Sequence, residues 1–419
     1  MRIVKTIMLS LLCSGFTSLI AQEPPTEWID PDTGHRVIRL SKEPGSSSLY
    51  FHQNGYTPDG RKVIIMSPTG LSAVDLKTRA VEKLVEGRVN LVMLGKKTGH
   101  AYYVKNRIVF SVDLDTKATR EIGPVPAGGS IATVNADETL LAGAITEGAA
   151  PPPPAPAPPA TPGQARDNYP GKGEMMERRL AERRPMQLFT INIKTGEVKT
   201  LHKSTDWLNH IQFSPTDPSL LMFCHEGPWH KVDRIWTIRT DGSALTKIHT
   251  RTMNMEIFGH EFFSGDGKTI WYDLQTPKSQ VFWVAGYDTV TGARTQYFVP
   301  RAEWSVHFNV SPDGKLFAGD GGGPNSVAAP GNGQWIYLFR PEVLSPTQLA
   351  PLPDAKQMIM PGRFKTEKLV NLAKHNYSLE PNVTFSPDMK WIVFRSNMLG
   401  PTHVYAVEIE KANNGVSSR

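Results

Sequence analysis

The stretch VSPDGKLFAGDG, Val310–Gly321, and its near-copy FSPDMKWIVFRS, Phe385–Ser396, decide the fold. Each opens on a tight turn and continues as a run of alternating apolar residues. Pro presets the backbone angle of the turn, Asp bonds the backbone ahead of it, and Gly accepts a left-handed φ. The period-two run that follows reads as a β-strand. The phrase returns as YTPDGRKVIIMS from Tyr56, VNADETLLAGAI from Val134, FSPTDPSLLMFC from Phe213 and FSGDGKTIWYDL from Phe263. A weaker copy, LGKKTGHAYYVK, starts at Leu94.

A second phrase alternates with the first. LSAVDLKTRAVEKL, IVFSVDLDTKATREI, LFTINIKTGEVKTL and VFWVAGYDTVTGARTQYF each read as strand, D-T- or K-T-G-like turn, strand. HVYAVEIE, from His403, reads as a lone closing strand. Four strands per unit, at a spacing of roughly 40–50 residues, are the signature of a β-propeller. Seven units fit the 419 residues. The expected fold is all-β, a seven-bladed propeller over residues 22–411, with 412–419 as a flexible C-terminal tail. No G-H…W-D pattern occurs, which excludes the WD40 subtype.

Two intervals exceed the period. One, at about 148–172, holds GAAPPPPAPAPPATPGQ, a Pro/Ala-rich insert of the disordered or polyproline kind. EMMERRLAERR follows it and predicts a short charged helix. The other, Val343 to Val370, reads as an insertion between the last two blades.

The N-terminus, MRIVKTIMLSLLCSGFTSLIAQ, pairs a basic start with a short apolar run ending near Ala21. Residues 1–21 therefore read as a signal peptide, and the mature protein as periplasmic or secreted. The run is short of the roughly 20 apolar residues of a spanning helix, so no stable membrane insertion is expected after cleavage. Cleavage leaves Cys224 alone, which rules out an internal disulfide. The formal charge of +6 is compatible with an anionic partner and equally with a generic basic exported protein. No Lys/Arg-rich block with interleaved aromatics points to nucleic acid. Oligomeric state is not legible.

Functional side chains of a propeller converge from equivalent places in different repeats. Four of the blades put a histidine just upstream of the recurring turn: His52, His210, His260 and His307. Glu380 and Asn382 hold that place in the last blade. These groups either form a site on the axis or bond one another around the channel.

The segment FCHEGPWHKVDRIW, Phe223–Trp236, looks at first like a zinc-protease helix. Three residues, not two, separate Glu226 from His230, and Gly227-Pro228 breaks a helix, so that reading fails. A loop between two strands of one blade is expected instead, a usual place for function. There is no G-x-S-x-G elbow for a serine hydrolase.

With these residues in view the sequence resembles the oligogalacturonate lyases, polysaccharide lyase family 22. The resemblance is densest in WLNHIQFSP, FCHEGPWHKVDRIW, GHEFF, the His307 segment with GDGGGP after it, and FSPDMKWIVFRSN. It implies a seven-bladed propeller that cleaves short, anionic oligouronide chains, pectin-derived, by β-elimination. A metal, usually manganese, would hold the C6 carboxylate of the sugar. The resemblance puts the base on His260, the charge-stabilising arginine on Arg234 and a metal ligand on His307. His225 and Glu226 are expected as walls of the site that orient the loop presenting Arg234 or bond substrate hydroxyls, His210 as a support of the site or a substrate contact, and His52 as a substrate contact.

The last blade departs from the family. Gln-x-x-His-x-His-Pro is replaced by Tyr377-Ser-Leu-Glu380-Pro-Asn382-Val. His307, Glu380 and Asn382, with His375 swinging in, would still suit Mn²⁺, Mg²⁺ or Ca²⁺. The alternative is no metal, the substrate carboxylate being neutralised by Arg234 and other basic groups. The recurring turn is shared with TolB-like periplasmic propellers, so a non-catalytic module binding glycan or protein partners is the competing expectation.

Overall fold

The computed structural model describes residues 23–148, 172–323, 326–328, 334–344 and 358–412. The signal peptide, nearly all of the Pro/Ala-rich insert and all but the first residue of the C-terminal tail lie outside them.

The recurring turn folds the same way in successive blades. Ser311 Oγ bonds Asp313 Oδ1 at 2.6 Å, and the same hydroxyl accepts the N–H of Leu316 at 2.9 Å. Ser264 with Asp266 and Ser386 with Asp388 repeat the 2.6 Å bond. Gly267 and Gly314 take φ near +72°, a conformation that costs glycine little. Sequence and hydrogen bonding thus place a reversal at the same point of each repeat, and an inner strand ends there.

Seven blades result. In chain order their innermost described strands are the bridged segment at Tyr56, Asn90–Leu94, Gly129–Val134, Trp207–Phe213, Ile257–Phe263, Phe308–Val310 and Thr384–Phe385. We number the blades I to VII in that order. Most are four-stranded antiparallel sheets, and blades V and VI join into one eight-stranded sheet. The join is parallel, Arg294–Val299 against Ile359–Asn371.

Two expectations need correction. Ile359–Asn371 pairs with Trp335–Val343 through a long antiparallel register, so the described part of the Val343–Val370 interval is blade VI's own outer hairpin. His403–Lys411 is not alone either. It pairs with His35–Arg39 near the N-terminus, and blade VII closes the ring with strands from both chain ends. The short helix is present, as Lys172–Glu182, inside blade III. No described helix is long and apolar enough to cross a membrane.

The core is divided among the blade junctions. Among the described residues seven apolar clusters lie between neighbouring blades, and Phe51 of blade I reaches into the one between V and VI. The cluster between V and VI is rich in aromatics, including Phe262, Trp271, Phe282, Trp304, Phe317 and Phe339. Sheet faces packed this way leave the axis to polar residues of the inner strands.

Candidate active site

A β-bulge sets the histidines. The register of the inner strand slips between Asn209 and Gln212 in blade IV, and between Gly259 and Phe262 in blade V. The residues in the slips include His210 at φ 47° and His260 at φ 46°, and Asn382 in blade VII takes φ 55°. A bulge re-aims its side chain, and non-glycine residues held at positive φ cluster at functional sites. Gly259 just before His260 is obligatory: a Cβ there would stand 2.6 Å from the ring of Trp229 and 3.0 Å from Arg234 Nε.

His307 occupies the centre. Its Nδ1–H donates to Asp320 Oδ2 at 2.8 Å, and its backbone N–H donates to Oδ1 at 2.9 Å. Its ring stacks on Phe51 at 4.6 Å and meets His260 edge-on at 4.7 Å. Nε2 is left facing the Tyr50 hydroxyl at 3.1 Å and Glu380 Oε2 at 3.9 Å. Burial works most strongly against charge on this imidazole, but the surrounding carboxylates, Asp320 first and then Glu380 and Asp273, together outweigh it and the pKa rises.

His260 has the opposite character. Burial, with His307 beside it, holds its pKa well below the ordinary value. Its Nδ1 is 3.4 Å from Asp273 Oδ2, and burial pushes the Asp273 carboxyl well up. Both groups therefore favour their neutral forms. The ring lies against Trp229 at 5.0 Å and its side chain keeps 11% exposure.

Arg234 is fully buried between two carboxylates. Nη1 donates to Glu226 Oε1 at 2.5 Å, and Nη2 lies 3.6 Å from Glu261 Oε2. The guanidinium sits over Trp229 at 4.3 Å. Burial alone would raise the pKa of Glu226, yet Arg234 and His210 hold it well below the usual carboxylate range. Arg234 Nε and Nη2 have no hydrogen-bond partner among the described residues. His210 Nε2 bonds Glu226 at 3.1 Å and closes the group.

His210, Glu226, Arg234, His260 and His307 thus belong to one cluster, with Glu380 at its edge. Four expected residues do not join it as expected. His225 points to the other face of its strand, where it packs on Trp236 at 5.1 Å and lies 3.5 Å from Asp206. Alternation along a strand forces this once Glu226 faces Arg234. His52 packs edge-on against Phe51 and lines a cavity of about 380 Å³ at the turn end of the channel. Asn382 spends its amide on the backbone: Oδ1 accepts from Phe51 N–H at 3.2 Å and Nδ2 donates to the Glu380 carbonyl at 3.0 Å. His375 has both nitrogens committed, Nδ1 to Ser396 Oγ at 2.9 Å and Nε2 to the Leu379 carbonyl at 2.7 Å. A ring nitrogen that donates to a carbonyl has no lone pair for a metal.

The sequence reading missed Tyr50, Trp229, Glu261, Asp273 and Asp320. One signal was available for the two aspartates. Asp273 and Asp320 each stand thirteen residues after the histidine they face, at the same place in consecutive repeats.

For a divalent cation the donors fit at His307. An imidazole whose Nδ1–H is bonded to a carboxylate is the usual arrangement of a metal-ligating histidine. Glu380 adds a hard oxygen 3.9 Å from Nε2. Among the described residues a different trio, His210, Cys224 and Glu226, brings its ligating atoms within 4.8 Å of one another. There Arg234 already neutralises Glu226, and burial pushes the Cys224 thiol well up, so that trio is unsuited to a cation.

The comparison with known families decides the class: the sequence pattern of oligogalacturonate lyase matches residues 180–413. The chain belongs to the oligogalacturonate lyase family. It is thereby a polysaccharide lyase, which decides against the non-catalytic module. Oligogalacturonate lyase of Dickeya dadantii (strain 3937) is 27% identical over 409 residues, covering 91% of this chain and 95% of its own. Oligogalacturonide lyase of Pectobacterium atrosepticum is 26% identical over the same shares. Among solved structures, an oligogalacturonate lyase in complex with manganese superposes with a TM-score of 0.72 at 24% identity, over 92% of this chain and 96% of that one. Oligogalacturonate lyase from Vibrio parahaemolyticus gives 0.71 at 23% identity, over 92% and 96%. At such identities these two likenesses speak for the fold.

Proposed function

We propose that this member of the family is an exported lyase that cleaves the 1,4-glycosidic bonds of short oligogalacturonides by β-elimination. The products would carry a 4,5-unsaturated uronate, as in pectin breakdown. One observation carries the reading. A histidine kept neutral, His260, lies against Trp229 on one side and His307 on the other, and the same Trp229 carries the buried Arg234. The basic start and apolar run of residues 1–21 support export.

A C5–H next to a carboxylate is a very weak acid, so the charge that develops on its removal has to be met by fixed positive charge. A neutral imidazole accepts the proton. His260 takes it at Nε2, since Nδ1 faces Asp273. The C5–H electrons form the C4=C5 bond, the C4–O bond breaks, and the departing oxygen takes a proton from water. Arg234, held between Glu226 and Glu261, would supply the fixed positive charge behind the sugar carboxylate, with Nε and Nη2 making no hydrogen bond to the described residues. A divalent cation held by His307 and Glu380, manganese by likeness to the family, would add positive charge at that carboxylate. Asp320 fixes the His307 tautomer that keeps Nε2 available.

Incubation with digalacturonate and longer oligogalacturonides, with Mn²⁺, Mg²⁺ or Ca²⁺ added in turn, should raise ultraviolet absorbance as the conjugated product accumulates. No rise with any of them overturns the galacturonate assignment.

A further inference from the structure

We propose that Arg179 forms a further subsite, one that takes the carboxylate of a neighbouring uronate unit of the substrate; this rests on the oligouronide reading above. The helix Lys172–Glu182 grows out of blade III, yet it is fastened to blade IV. Glu177 pairs with Lys231 at 2.8 Å, and Arg183, just beyond the helix, pairs with Asp206. Arg178 is engaged by Glu182 at 3.6 Å. Arg179 differs from these neighbours. Its guanidinium lies 3.9 Å over the ring of Trp207, and its one polar contact among the described residues is Met186 Sδ at 3.8 Å. No carboxylate there stands within ion-pair distance of it.

A half-buried guanidinium has lost part of its hydration, and among the described residues only the weak acceptor Met186 Sδ replaces it. Its planar fork of N–H donors suits a carboxylate, and stacking on an aromatic ring holds the plane in place. The position is next to the reacting groups. Trp207 begins the strand that carries His210, and it stands opposite Glu226 in the register, the carboxylate that bonds both Arg234 and His210. With one sugar carboxylate at Arg234, Arg179 is placed for the carboxylate of the adjoining sugar. Chain-length preference, on this account, is set from the helix in blade III.

The test measures binding of galacturonate and digalacturonate by calorimetry in the full chain carrying His260→Asn, so that nothing is turned over. Adding Arg179→Gln should weaken the dimer about tenfold more than the monomer, the size of one charge-assisted hydrogen bond. Arg179→Lys, which keeps the charge but not the fork, should fall between. Equal weakening of galacturonate and digalacturonate, or of neither, overturns the subsite. Failure of the lyase reading shows separately, as absence of any absorbance rise with the unaltered protein.

Discussion

Arg234 Nη1 stands 2.5 Å from Glu226 Oε1, and both side chains are buried inside blade IV's face of the channel. Removing one partner of such a pair leaves a charge without compensation, which costs about 3–5 kcal/mol. Glu226→Ala should destabilise the protein by that order, with Glu226→Gln milder because an oxygen acceptor remains. Denaturant titration reads this directly. A Glu226→Ala protein with unchanged stability would show that the pair does not hold Arg234.

His260 should control the acidic limb of activity. A base works when unprotonated, and burial holds this pKa well below the usual 6.5. The acidic limb of kcat/KM, which reports the free enzyme, is therefore expected below pH 6.5. His260→Ala should lower kcat by about 10²–10⁴-fold, the usual worth of a positioned proton acceptor. Full activity in that variant excludes His260 as the base.

Cation binding should depend on His307 and Glu380 and not on His375. With two side-chain donors the ion should be stripped easily by a chelator. Asp320→Asn should weaken Mn²⁺ binding by about 10–100-fold, because it releases the His307 ring. His375→Gln should leave binding unchanged, both of its nitrogens being bonded elsewhere. Titration calorimetry with Mn²⁺ alone separates these variants, and equal losses for His375→Gln and Asp320→Asn would contradict the assignment.

Acid should destabilise the fold partly through His52. Burial holds its pKa at about 3 in the folded chain, against 6.5 ordinarily. Between those values the unfolded chain binds a proton that the folded one does not, so stability falls as pH falls. The slope from this group is up to about 1.4 kcal/mol per pH unit. His52→Phe should flatten the dependence between pH 6.5 and 3. An unchanged slope would mean that His52 is charged in the fold.

The blade count and the position of each inner strand were legible because the turn chemistry is local. Ser, Asp and Gly act within five residues of one another, as the repeated bonds of Ser264, Ser311 and Ser386 show. Closure of the ring was not legible. His35–Arg39 joins His403–Lys411 across nearly the whole chain, and no local pattern encodes that partner. The outer hairpin of blade VI was hidden for a related reason: its strands run long and outward, past the common period.

The sequence by itself determined that His210, His260, His307 and Asn382 occupy one repeat position, three residues before the apolar residue that opens each turn. Only the tertiary structure decided their roles. Two histidines at equivalent positions differ because their surroundings differ: Asp320 bonds one at 2.8 Å and raises its pKa, while burial beside a protonated-favouring Asp273 lowers the other. It also separated Glu226 from His225, by strand alternation, and disqualified Asn382 and His375 through bonds to distant backbone and to Ser396. Repeat position is a property of the chain, whereas protonation and free lone pairs are set by neighbours that other blades supply.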